Sequence, residues 1–281
     1  MVDNGLQPAT VYTRLIFTVA DPTAALERLV AIDFTAFAIE DQTLTAWPGS
    51  AAEAEAISTA LGLAPVQCRE LTHAAVYAEV TPTGTWLVAD GCWVLSGTTA
   101  LPAGAATPRA VVYLPAGGGF GDGQHPATGL ACSLLASMEM MGARVLDVGC
   151  GTGLLGVLAW RLGAAHVDFS DVDGDSVLHA CACCAANGLA AEVFHADLLT
   201  GIPTPARPYD LLIANLYGEF LTTLFSSPRL TDLLPTGEVV LSGISAGKLS
   251  MVESALASAG FTITRRMTDA GWWGLGAMRA G

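Results

Sequence analysis

The residues best placed to do chemistry lie in one run, Val145-Leu146-Asp147-Val148-Gly149-Cys150-Gly151-Thr152-Gly153. An apolar strand pattern ends in three spaced glycines, and a helical pattern starts at Leu154. Glycine tolerates positive φ and lets a ligand approach the backbone. In α/β sheets, ligands bind in the crevice beyond the carboxyl ends of the strands. The run therefore predicts a nucleoside cofactor. It also contains Gly151-Thr152-Gly153-Leu154-Leu155-Gly156, the GxGxxG spacing of dinucleotide folds, with Asp171 about 20 residues further on. Alone, this pattern fits NAD and S-adenosylmethionine equally, because both carry an adenosine ribose.

Three features favour S-adenosylmethionine. Asp147 stands at the strand end ahead of Gly149, where a carboxylate suits a cationic amino group and sulfonium better than a pyrophosphate. Asp171 directly follows the apolar run His166–Ser170, where its carboxylate can accept both ribose hydroxyls. Asp197 follows the next strand, where a polar group can meet an adenine amine. Asp171 and Asp173 both also suit helix N-capping. The expected cofactor-binding set on this reading is Asp147, Gly149, Gly151, Gly153, Asp171 and Asp197.

The elements around the run predict how it is held. Arg144–Val148, His166–Ser170, Val193–His195, Tyr209–Ala214 and Glu238–Leu241 read as strands, and Leu154–Leu162, Ser176–Asn187, Glu219–Leu234 and Lys248–Ala259 as helices. Apolar strands alternating with helices mean a parallel sheet covered on both faces. Only Asp269-Ala270-Gly271 separates the last two strands, Phe261–Met267 and Trp272–Ala277, which is too short for a crossover, so that pair is antiparallel. The fold class expected is α/β: a Rossmann-like, seven-stranded, mostly parallel sheet with an antiparallel final hairpin, plus a small N-terminal α+β domain.

In the N-terminal part, Val11–Val19 reads as a strand, Asp21-Pro22 opens a helix over Ala24–Ile32, and Phe34–Ile39 with Thr43–Trp47 reads as a hairpin. A second helix over Ala51–Leu61 and short strands at Ala74–Val80 and Thr85–Ala89 complete a ferredoxin-like order. The Gly-, Pro- and Thr-rich stretch 98–108 reads as a linker. The expected domains are thus 1–97, a linker over 98–108, and 109–281.

Composition narrows the partners. A net charge of −14 disfavours nucleic acid and suits a basic protein partner. No apolar run approaches the ~18–20 residues of a membrane span. The N-terminus lacks the basic and apolar regions of a secretion signal, so a cytoplasmic location is expected. The seven cysteines show no metal-finger spacing, no metal is expected, and Cys181, Cys183 and Cys184 read as buried thiols of a helix.

Beyond these generic signals, Phe120-Gly121-Asp122-Gly123-Gln124-His125-Pro126-Ala127-Thr128 resembles the FGTGxHxTT motif of the ribosomal protein L-eleven methyltransferase family, the PrmA type. The glycine run, Asp171-Val172-Asp173, Ala186-Asn187-Gly188, Ile213-Ala214-Asn215-Leu216 and Leu241-Ser242-Gly243-Ile244 follow that family's later motifs in order, over roughly 110–281. The resemblance implies that Thr128, Gly149, Asp171 and Asn215 contact the cofactor. It implies methyl transfer from S-adenosylmethionine to lysine ε-amines and an N-terminal amine, with the N-terminal domain recognising the ribosomal protein. The chain departs from the motifs at Asp122 (for Thr), at Ala127 (for Thr) and at Leu216-Tyr217-Gly218 (for Ile-Leu-Ala).

In such a transfer the donor is already activated, so the protein positions reactants and removes water. The amine must be neutral, and an apolar pocket lowers its pKa. The Asn215 side-chain carbonyl and the Leu216 backbone carbonyl are the expected catalytic acceptors, with Tyr217 on the pocket wall. His125 fits a helix-entry residue or a cofactor lid, and Glu219 a helix N-terminal acid. Of Trp272 and Trp273, one faces the core. Three alternatives stay open: a lysine methyltransferase acting on another protein, a protein that binds the cofactor without catalysis, and an NAD-dependent oxidoreductase.

Overall fold

The computed structural model describes residues 11–32, 34, 37–40, 42–46, 48, 50–72, 83–97, 100–115 and 120–279. The strand expected at Ala74–Val80 lies outside the described residues, as do Thr98 and Thr99 of the expected linker. The chain divides into two compact units, residues 1–80 and 81–281. No helix among the described residues is long and apolar enough to cross a membrane.

The first unit runs β1 (Val11–Thr18), α1 (Pro22–Ala31), β2 (Phe37–Glu40), β3 (Thr43–Ala46), α2 (Ala51–Leu61) and β4 (Gln67–Thr72). Its sheet has the ferredoxin-like order β2-β3-β1-β4, all pairs antiparallel, closed by β4 at Gln67–Thr72, a strand the sequence reading did not place; the strand expected at Thr85–Ala89 lies in the second unit. The Asp21 carboxylate accepts from the N–H groups of Thr23 and Ala24 and starts α1 with Pro22 in its first turn. Alternate residues of β1, Leu15 and Phe17, turn inward onto Leu29 of α1 and Ile57 of α2.

The second unit opens with a small sheet of β5 (Gly84–Ala89), β6 (Cys92–Ser96) and β7 (Ala110–Leu114). Here the expected domain limits need correction. Strands β6 and β7 pair in parallel, Cys92 opposite Ala110 through Ser96 opposite Leu114, so the segment between them is a crossover inside one unit. A Gly- and Pro-rich loop looks the same in sequence whether it joins two domains or two neighbouring strands.

The main sheet contains β8 (Arg144–Val148), β9 (His166–Asp171), β10 (Val193–His195), β11 (Leu211–Asn215), β12 (Gly237–Ser245), β13 (Thr262–Asp269) and β14 (Trp272–Arg279). Their order is β10-β9-β8-β11-β12-β14-β13, parallel up to β12, with β14 antiparallel to both neighbours. The final hairpin turns through Ala270 (φ 45°) and Gly271 (φ 81°), two positive-φ residues matching the right-handed strand twist. Helices α3 (Pro126–Ala136), α4 (Leu154–Arg161) and α5 (Gly174–Asn187) cover one face. Helices α6 (Gly218–Ser226), α7 (Arg229–Leu233) and α8 (Leu249–Ser258) cover the other. The mostly helical stretch expected over Glu219–Leu234 forms two helices, broken at Ser227-Pro228, because proline disfavours helix at the residue before it. Of the clustered cysteines, Cys183 and Cys184 are buried in α5, while Cys181 is exposed on it.

Period-two alternation distributes the strand residues between faces. In β8, Val145 packs toward α3–α5 and Leu146 and Val148 toward α6–α8. In β11, Leu211 and Ile213 take the first face and Leu212 and Ala214 the second. Asp147, Asp171 and Asn215 therefore fall on one face, that of α3–α5, at or near strand carboxyl ends.

Candidate active site

The glycine turn is built by its own hydrogen bonds. Gly149, Gly151 and Gly153 have φ of 68°, 51° and 78°, conformations costly for other residues. The N–H groups of Gly149 and Cys150 donate to the Ser170 carbonyl (2.8 and 3.0 Å), extending the β8–β9 ladder into the loop. Gly151 donates to Asp171 Oδ2 (2.9 Å), and Thr152 and Gly153 to the carbonyls of Phe120 (3.2 Å) and Cys150 (2.8 Å). Leu154 reaches Thr152 Oγ1 (3.4 Å), and Gly156 donates to Asp147 Oδ2 (2.8 Å).

This saturation bears on the choice between the two cofactor readings. A pyrophosphate at such a turn needs free backbone N–H groups at the helix start. Here the amides of Gly149 through Leu154 and of Gly156 already have protein acceptors, two of which are carboxylates. A diphosphate would meet the Asp171 carboxylate and few free donors, whereas the same carboxylate suits a cationic ligand.

Asp171 is held from both sides. Gly151 N–H takes Oδ2 and Asp173 N–H takes Oδ1 (3.0 Å), leaving each oxygen lone-pair capacity for a diol. Burial raises its pKa, against the backbone N–H bonds from Asp173 and Gly151. Asp173 has the capping role: its carboxylate accepts from the N–H groups of Asp175 and Ser176 at the start of α5. Asp147 lies deeper than expected. It is 1% exposed and caps the first turn of α4 through Gly156, so it stands behind the loop. Burial pushes its carboxyl up to about 8, with the Gly156 bond opposing and Asp171 adding to the rise. Asp197 is exposed just after β10, and its carbonyl accepts from Thr200 N–H (2.8 Å).

On the other side of the crevice, Asn215 Nδ2 donates to Thr128 Oγ1 (3.2 Å), joining the end of β11 to the first turn of α3 across 87 residues of sequence. Its neighbour in register, Ser242, donates to the Ala127 carbonyl (2.6 Å). These two bonds seat α3 over the strand ends. The Leu216 side chain lies against the first glycine, where a Cβ on Gly149 would come within 2.4 Å of Leu216 Cδ2. The Leu216 carbonyl faces Gly243, at the irregular register of β12 and β14.

The motif loop before α3 is strapped to the glycine turn. Thr152 Oγ1 donates to the Gly121 carbonyl (2.8 Å), and a Cβ on Gly151 would sit 2.4 Å from the Phe120 carbonyl oxygen. His125 is the N-cap of α3, its Nδ1 accepting from Ala127 N–H (3.2 Å). Burial lowers its pKa to about 4, so the imidazole is neutral and fit to accept. Its ring stands between Phe120 (5.3 Å) and the buried Trp272 (5.1 Å), while Trp273 is only partly buried. Tyr217 (43% exposed) and Phe220 (51% exposed) form an outward aromatic pair beside Asn215.

The family model "Ribosomal protein L11 methyltransferase (PrmA)" matches residues 88–280. This chain belongs to the PrmA family. Among curated ribosomal protein L11 methyltransferases, one from Deinococcus radiodurans is 34% identical over 183 residues, covering 62% of this chain and 65% of the relative. One from Lacticaseibacillus paracasei is 37% identical over 166 residues, covering 59% and 51%. The chain thus spans about half to two thirds of the length of the curated relatives it matches first. A Synechococcus relative is 30% identical over 270 residues, covering 89% of this chain and 88% of its own length. The crystal structure of a ribosomal protein L11 methylase from Lactobacillus delbrueckii subsp. bulgaricus superposes with a TM-score of 0.62 at 28% identity, covering 70% of this chain and 99% of that one. The PrmA match begins inside β5, ahead of the boundary expected from sequence, in keeping with the sheet pairing of β5–β7.

Of the residues expected at the site, the structure joins Thr128 to Asn215, Gly151 to Asp171 and Leu216 to Gly149, holds Asp147 behind the glycine turn on Gly156, and leaves Asp197 exposed after β10. Sequence reasoning missed the Thr152–Gly121 strap and the Ser242–Ala127 tie. The Gly151-Thr152-Gly153 of the turn and the Ser of Leu241-Ser242-Gly243 were the signals for them.

Proposed function

We propose that this chain is a protein methyltransferase, transferring methyl groups from S-adenosylmethionine to lysine or N-terminal amines of a ribosomal protein. The observation that carries this reading is the fixed Asn215 amide. Its N–H is engaged by Thr128, and its carbonyl oxygen has no partner among the described residues. That oxygen is the acceptor needed to orient a neutral amine at the strand ends of a PrmA-family fold.

The residues fit the donor. Asp171, held by two backbone amides, takes the ribose diol, and the Gly149–Gly153 turn, closed to phosphate, lines the nucleoside. On this reading Asp197, exposed after β10, meets the adenine amine. Asp147, buried with its carboxyl pushed up to about 8, supports the turn from behind through Gly156. When bound, S-adenosylmethionine supplies an electrophilic methyl group. Asn215 Oδ1 and the Leu216 carbonyl accept hydrogen bonds from the amine and leave its lone pair toward the donor. Leu216 and the strap at Phe120-Gly121 exclude water, which favours the uncharged amine. The net charge of −14 suits a basic acceptor, and the ferredoxin-like unit is assigned its recognition. A cytoplasmic location accords with that acceptor.

Calorimetry with S-adenosylhomocysteine and NADH tests the site, and the former alone is expected to bind. Binding of NADH alone ends the methyltransferase reading. Radiolabelled methyl transfer into a ribosomal lysate tests the reaction, with one labelled ribosomal protein expected. Label in a different protein moves the acceptor, and an unlabelled lysate with nucleoside binding intact removes the activity.

A further inference from the structure

The charge on Asp122 has no assigned use. The loop that carries it is fixed on every side. Gly121 is bound by Thr152 Oγ1, and the Asp122 carbonyl accepts from Trp86 Nε1 (3.1 Å). A Cβ on Gly123 would come within 2.5 Å of Val88 and 3.1 Å of Leu154. Asp122 Oδ1 accepts from Gln124 N–H (2.9 Å), a local turn that any residue with a side-chain acceptor at this position can make. A threonine, the residue of the resembled motif, could make it without a charge.

The carboxylate is nevertheless half-buried, and among the described residues no Lys, Arg or His pairs with it. Burial raises its pKa, opposed only by backbone N–H groups. A half-buried carboxylate that only backbone N–H groups satisfy keeps lone pairs free to accept from a cationic ligand. Two residues on one side of it lies the carbonyl that receives Thr152, and three residues on the other lies His125 at the head of α3.

We propose that Asp122 receives a primary ammonium group brought into the crevice, from the amino-acid end of the sulfur nucleoside or from the acceptor before it loses its proton. The inference rests on the methyltransferase reading and deepens it. The test is Asp122→Asn, which keeps the Oδ1 acceptor for Gln124 and removes only the charge, with Asp122→Thr beside it. Each variant is titrated by calorimetry with S-adenosylhomocysteine and with methylthioadenosine, the same nucleoside without an ammonium group. The acceptor concentration for half-maximal methylation is measured in parallel.

A loss of ~10-fold or more for S-adenosylhomocysteine, the scale of one charge-assisted hydrogen bond, with methylthioadenosine unchanged assigns Asp122 to the donor's ammonium. Unchanged nucleoside affinities with a ~10-fold higher half-saturating acceptor concentration assign it to the acceptor. Variants that match the wild type in all three measurements overturn the proposal while leaving the methyltransferase reading intact. A wild-type protein that binds neither nucleoside overturns both.

Discussion

Asn215 has its amide fixed before any ligand arrives, so the two ends of that amide have separable roles. Asn215→Ala removes the acceptor and is expected to lower turnover ~100-fold, with S-adenosylhomocysteine affinity changed far less. Thr128→Val removes only the partner that sets the amide's orientation. A smaller fall in turnover is expected, again with nucleoside affinity kept. A parallel loss of nucleoside affinity in Thr128→Val would make Thr128 a donor-binding residue instead. Asp147 supports a different expectation. Burial pushes its carboxyl up to about 8 in the folded chain, above the ordinary carboxylate range. Between those values the folded chain keeps a proton that the unfolded chain has lost. Stability therefore falls as pH rises through that window, by at most ~1.4 kcal/mol per pH unit, and levels off above it. Asp147→Asn is expected to flatten that slope in denaturant titrations run from pH 5 to 9, and an unchanged slope would assign the dependence elsewhere.

At the scale of elements, the glycine turn and the α5–β7 contact make opposite predictions. Gly151→Ala places a Cβ against the Phe120 carbonyl at positive φ, with backbone on both sides and nothing to yield cheaply. It is expected to loosen the strap and weaken S-adenosylhomocysteine binding. Asn187 is remote from the crevice: its Nδ2 donates to the carbonyls of Tyr113 and Cys183, and its Oδ1 accepts from Tyr113 N–H. Asn187→Ala should cost ~1–3 kcal/mol in chemical denaturation and leave nucleoside affinity unchanged, because it orphans backbone groups of β7 without touching the site.

The same elements show where sequence is legible. The final hairpin, the Asp21 and Asp173 caps and the strand–glycine–helix run carry their causes in adjacent residues, so local chemistry reveals them. The small β5–β7 sheet does not, because its parallel pairing joins strands across a long crossover. Thr128 and Asn215 could each be picked out by motif, but their contact spans 87 residues and depends on which face of β11 the last residue takes. The helix-capping role of Asp147 was hidden for the same reason: an acidic residue before a glycine looks alike whether it points at a ligand or at the helix behind the loop.

Each unit of the molecule has its own core. Leu15, Phe17, Leu29 and Ile57 centre the first, and two apolar layers flank the main sheet of the second. A chain of residues 81–281 should therefore fold cooperatively and bind S-adenosylhomocysteine. A chain starting at residue 109 lacks β5 and β6 and leaves β7 as a bare edge over buried Val112 and Leu114. It is expected to aggregate or to melt at lower temperature. Equal melting of the two would return the boundary to the Gly- and Pro-rich segment.

The closed set of hydrogen bonds around Gly149–Gly156 also bears on competition inside a cell. ATP, GTP and the nicotinamide cofactors share the adenosine-like half of the donor and outnumber many other small molecules. Each brings a polyphosphate that this crevice would have to desolvate without compensation. Selectivity of that kind needs no added recognition group, since the donors a rival would require are already engaged by the fold itself. Methylation should therefore proceed at an undiminished rate in millimolar ATP.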